Sequence, residues 1–120
     1  MKWKPPSARL RHDQRDEAAR IALLLSNHSN GDVPLWCEML GFSLLTASLP
    51  EPFDACILGT YLLIRPLLRR DEQIRAIAHE YCHWRFHPAA VQYRDLHKFA
   101  VARNEGQAVA FAEAVLREAS

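Results

Sequence analysis

Between Arg70 and His87 the chain carries His79-Glu80-Tyr81-Cys82-His83, a His-Glu-x-x-His run inside a stretch whose apolar residues Ile74, Ile77, Ala78 and Tyr81 recur at helical spacing. A helix accommodates both patterns at once. Four residues turn about 400°, so His79 and His83 leave one face with imidazoles able to reach one ion, beside an apolar stripe that can be buried. Asp71 is the expected N-cap, Glu72 suits the positive end of the dipole, and His87-Pro88 marks the exit after Phe86. With six histidines in 120 residues, roughly 0.02 copies of this pattern are expected by chance, so coincidence is a poor account of it. The plain alternative is a pair of solvent-facing histidines on a core helix.

The chemistry follows from the residue types. Zinc accepts imidazole nitrogen and prefers about four tetrahedral ligands. Glu80, next to His79, can orient a water at such an ion and take its proton. The run therefore supplies two ligands and a base, and a third ligand must come from elsewhere. Candidates are His87, Asp95, His97 and Glu105. His87 follows the helix closely, with Pro88 setting the chain direction, and is expected to be an exposed histidine. Asp95 and His97 fall in a connection or helix start, where a surface role is the default. Glu105 lies on a last helix with Ala108, Phe111 and Ala112 at helical spacing, a small-residue face able to approach the central helix. Tyr93 and His97, in the connection, are candidate donors to the oxyanion formed as water attacks a peptide carbonyl.

The rest of the chain reads as one domain. Residues 1–7, with Pro5-Pro6, form a flexible basic arm, and residues 8–120 form the domain. An amphipathic helix is expected over Ala8–Asn27, followed by a turn cluster at 27–32 and a short helix over Pro34–Leu40 closed by Gly41. Phe42–Thr46 reads as a strand, and Ala55–Leu58 and Tyr61–Ile64 as a hairpin turning at Gly59-Thr60. The last helix runs from Asp95 or Val101 to Glu118. The expected fold class is α+β, a small antiparallel sheet packed with an N-terminal helix, the His-Glu-x-x-His helix and a C-terminal helix.

Composition narrows the function classes. Hydrophobic residues make up 49% and charged residues 24%, and fifteen Lys and Arg against fourteen Asp and Glu leave a net charge of +1. That balance argues against a whole-surface nucleic-acid binder, and no direct nucleic-acid binding is expected. No run approaches the eighteen or so apolar residues of a membrane span, so no membrane partner is expected. The N-terminus leads into charge, so a cytoplasmic location is the default. Cys37, Cys56 and Cys82 suit no disulfide framework and read as buried thiols.

Ile77-Ala78-His79-Glu80-Tyr81-Cys82-His83 and the downstream Glu105-Gly106-Gln107-Ala108-Val109-Ala110-Phe111-Ala112 together resemble the ImmA/IrrE family of zinc metallopeptidases. Glu38–Phe42 and Gly59–Ile64 resemble that family's helix entering its first strand and the strand before its active-site helix, so the resemblance covers roughly residues 8–118. It implies a minimal zincin-like metallopeptidase in which His79, His83 and Glu105 bind Zn2+, with Mn2+ an alternative ion, and Glu80 is general base and acid. It further implies a protein substrate, a helix-turn-helix repressor of the Xre type. Two departures stand out. Cys82 replaces the family's usual glycine, and Val109 occupies a position where related peptidases place Asp or Asn to hold a ligand histidine, so another group must fix that tautomer. The competing readings are a SprT-like minimal zinc peptidase whose third ligand is His87 or His97, and a regulatory protein-binding module that keeps the fold without cleaving its partner.

Overall fold

The computed structural model describes residues 9–87 and 98–119. In chain order these form α1 (His12–Leu23), a π-helical turn (Leu24–His28), α2 (Val33–Met39), β1 (Ser43–Thr46), β2 (Ala55–Leu58), β3 (Tyr61–Ile64), α3 (Arg70–Phe86) and α4 (Lys98–Ala119). The class is α+β, as expected. The N-terminal arm over residues 1–7 lies outside the described residues.

Local chemistry accounts for most boundaries. The Asp32 carboxylate caps α2 by accepting the Leu35 N–H at 3.1 Å, with Pro34 inside the first turn where its missing N–H costs nothing. Gly59 takes φ 61° at the first central position of the two-residue hairpin loop, which a side chain would resist. The start of α3 differs from the sequence expectation. Arg69, not Asp71, is the N-cap, because the Glu72 carboxylate reaches back to accept the Arg69 N–H at 3.0 Å. Asp71 sits within the first turn, where its charge suits the helix dipole and meets the Arg69 guanidinium at 3.2 Å.

The sheet has order β1-β3-β2. β2 and β3 form the expected antiparallel hairpin, pairing Ala55 with Ile64 and Leu58 with Tyr61. β1, however, runs parallel to β3, pairing Ser43 with Tyr61 and Thr46 with Ile64, so the sheet is mixed and not wholly antiparallel. The hairpin leaves the far edge of β3 open, and the chain emerging from α2 docks along it with Ser43 N–H donating to Thr60 at 2.9 Å and Ala47 N–H to Ile64 at 2.9 Å.

α3 is the central element. It packs on β2 and β3 on one side and on α4 on the other, while α4 also packs on α1. Its stripe of Ile74, Ile77, Ala78, Tyr81 and Cys82 is buried, and so are Ala108, Phe111, Ala112 and Val115 of α4. Ala78, Ala108 and Ala112 are small enough to let α3 and α4 approach closely, and Phe111 fills the remaining space against Tyr81 and Phe86 at centroid separations of 6.2 and 5.9 Å. Trp36 is fully buried and its indole N–H donates to the Ile21 carbonyl at 2.9 Å, which ties α2 to α1. No helix among the described residues is long and apolar enough to cross a membrane.

Candidate metal centre

The histidine face of α3 meets α4 where Glu105 projects. His83 Nε2 lies 2.7 Å from Glu105 Oε1, and His79 Nε2 lies 3.3 Å from Glu105 Oε2. One ligand atom from each of the three residues falls within 4.8 Å of the others, and among the described residues no other group of three or more His, Cys, Asp or Glu does so. Glu105 is thus the candidate third ligand that the fold brings to the histidine pair. The two imidazoles beside it hold its carboxyl well below the usual carboxylate range, against the opposing effect of burial.

Whether a metal suits these residues can be read from His83. Its Nε2 is buried and makes no well-formed hydrogen bond, although Glu105 Oε1 is only 2.7 Å away. A ring nitrogen and a carboxylate oxygen that close are held by a cation between them, a proton or a metal ion. Two imidazole nitrogens and a carboxylate oxygen are a donor set that zinc accepts, so the residues fit the ion.

Glu80 follows His79 on the neighbouring side of α3. Burial raises its carboxyl above the ordinary value, with Glu105 adding to the rise and the histidines opposing it. It faces the sheet closely enough that its charge, second to burial, pushes up the Cys56 thiol on β2. Among the described residues Glu80 takes no hydrogen bond or ion pair, which leaves its oxygens available to a water.

His87 overturns the expectation of an exposed histidine. It is only 7% exposed, and it reaches back over the last turn of α3 to place Nδ1 3.1 Å from His83 Nδ1. Its Nε2 lies 2.7 Å from Gln107 Oε1 on α4. Burial pushes it below the ordinary imidazole pKa. Both ring nitrogens are therefore engaged away from Glu105, so His87 supports a ligand from behind without being one. Gln107 and Gln14 are the site residues that sequence reasoning missed, and His87 was weighed there only as a ligand; the Gln107 signal was its place two residues after Glu105, on a helix turned toward α3. Val109 is partly exposed and has no such role. Cys82 is fully buried, as expected. Asp95 and the candidate donors Tyr93 and His97 lie outside the described residues.

No family model, curated protein or solved structure matches the chain.

Proposed function

We propose that the chain is a zinc-dependent endopeptidase with His79, His83 and Glu105 as metal ligands and Glu80 as general base and acid. One observation carries this reading, namely that the two Nε2 atoms of the His-Glu-x-x-His helix face opposite oxygens of one carboxylate from α4, with Glu80 alongside. When bound, zinc supplies Lewis acidity and makes water a competent nucleophile near neutral pH. The part left to the chain is proton transfer and positioning. Glu80, its affinity for a proton enhanced by burial, accepts a proton from the attacking water and delivers it to the departing amine. β2 is an edge strand beside Glu80, paired among the described residues only with β3. Its outer edge offers backbone groups on which an extended substrate segment can lie. The resemblance to the ImmA/IrrE family makes a helix-turn-helix repressor of the Xre type the substrate to try first.

Metal content of natively purified protein tests the reading. About one zinc per chain in the wild type, mostly lost in Glu105→Ala prepared identically, is the expected result. Glu80→Gln keeps its zinc but cleaves a fluorogenic peptide library about 10²- to 10⁴-fold more slowly, the usual contribution of a positioned base. No zinc in the wild type, even after addition of the ion, sinks the proposal.

A further inference from the structure

Behind the candidate ligands runs a buried chain of polar contacts that joins three elements. The Arg11 N–H donates to Gln14 Oε1 at 2.9 Å, Gln14 Nε2 donates to Gln107 Oε1 at 3.2 Å, Gln107 Oε1 meets His87 Nε2 at 2.7 Å, and His87 Nδ1 meets His83 Nδ1 at 3.1 Å. Gln14 is fully buried, and Gln107 and His87 are at most 9% exposed. Water cannot readily reorient such groups, so each contact must have a donor and an acceptor.

The direction of every link follows from the first. A backbone N–H can only donate, so the Gln14 atom facing Arg11 must be the oxygen and its amide nitrogen must face Gln107. That nitrogen also only donates, so the Gln107 atom it meets is the oxygen. Gln107 Oε1 then accepts from His87 Nε2–H as well. No carboxylate lies within hydrogen-bond distance of His87 among the described residues, so a buried neutral ring is the state that fits, and its Nδ1 carries a lone pair. That lone pair accepts from His83 Nδ1–H. With Nδ1 as the donor, Nε2 is the His83 ring atom left to face Glu105, at a buried position without a well-formed hydrogen bond.

We infer that Gln14, Gln107 and His87 form a directional relay that holds His83 in its Nδ1–H tautomer, so that Nε2 is presented as a metal ligand. The inference rests on the metal-site reading for its purpose, though not for its geometry. The relay does the work that an Asp or Asn at position 109 would do on α4, but from residue 107 and through an intervening imidazole. These are positioning residues, since none of them touches the site's ligand atoms. Reversal of any link would put the proton on His83 Nε2, where it would compete with the ion.

Nitrogen-15 NMR of the histidine rings in the metal-free protein tests the direction. His87 is expected as the Nε2–H tautomer with an acceptor Nδ1, and His83 with a proton on Nδ1, whatever its Nε2 carries in the absence of the ion. A proton on His87 Nδ1 overturns the relay. Zinc affinity, read by competition with a chromophoric chelator, then tests its purpose. Gln107→Met, close in shape but without the oxygen, is expected to release the His87 tautomer and weaken zinc binding about ten- to a hundredfold. Gln107→Glu, whose carboxylate would favour a charged His87 with both nitrogens as donors, is expected to reverse the last link, move the His83 proton to Nε2 and weaken zinc binding as well. Wild-type tautomers and affinity in a folded Gln107→Met overturn the inference, and should that variant fail to fold, the wild-type spectrum and Gln107→Glu still decide it. A wild type that takes no zinc but shows the expected tautomers overturns the metal-site reading and leaves the relay direction standing, so the two failures can be told apart.

Discussion

Cys37 on α2 and Cys82 on α3 are both fully buried, and burial pushes each thiol up to about 12. Neither is a thiolate at neutral pH, and neither can be reached without opening the core. Cys56 on β2 differs in being only partly covered, though burial and the Glu80 charge raise it too. A disulfide reagent at pH 8 is therefore expected to modify Cys56 first, while Cys37 and Cys82 react only at the rate of unfolding. Three thiols reacting together in the folded protein would contradict this assignment of burial. Cys82 in particular packs inside the α3 stripe, so its sulfur is part of the core, although the next residue, His83, belongs to the candidate metal group.

At the scale of elements, α1 and α3 are fastened through Glu17. Its carboxylate accepts from Arg20 Nε at 2.6 Å on its own helix and from the Tyr81 hydroxyl at 2.5 Å on α3. The Arg20 guanidinium first, and Tyr81 after it, hold the Glu17 carboxyl below its ordinary value of 4.5, against partial burial. A depressed folded-state pKa means that the stabilisation is complete above the ordinary carboxylate value and is lost as pH falls through the lower folded value. Glu17→Gln is expected to cost about 1–2 kcal/mol at pH 7, in the range for hydrogen bonds to a charged group that keeps some contact with solvent. Its loss of stability below pH 4.5 should also be shallower than that of wild type. Urea denaturation at pH 7 and at several pH values below 4.5 measures both, and parallel acid limbs in the two proteins would remove Glu17 from the account.

For the whole molecule, fold and site depend on the same interface. The apolar contact of α4 with α3 is made by its face of small residues and Phe111, and that packing places Glu105 against the histidines and Gln107 behind them. Phe111→Ala is expected to destabilise the protein by about 3–5 kcal/mol, the usual cost of truncating a fully buried aromatic residue. It should also lower zinc uptake at fixed concentration, because Glu105 loses its fixed position. Denaturation and zinc titration of the same preparation test this together. Full zinc affinity in a strongly destabilised Phe111→Ala would show that the ligands assemble without the packed helix pair.

Local patterns were enough to read much of this architecture. Helical spacing in α3 put His79, Glu80 and His83 on adjoining faces, Gly59 set the hairpin turn, and the small-residue face after Glu105 marked where α4 could approach. Each is a property of a few neighbouring residues and of backbone geometry. Long-range contacts had to decide the rest. Which edge of β3 received β1, and hence its parallel direction, depended on how α2 delivers the chain. Of four candidate third ligands, only packing of α4 on α3 could bring Glu105 to the histidines and turn His87 toward Gln107. The Gln14–Gln107 contact spans 93 positions in sequence. No period or spacing encodes it, because it exists only once α1 and α4 have buried their apolar faces against each other and left two amides inside with only each other and their neighbours to satisfy them.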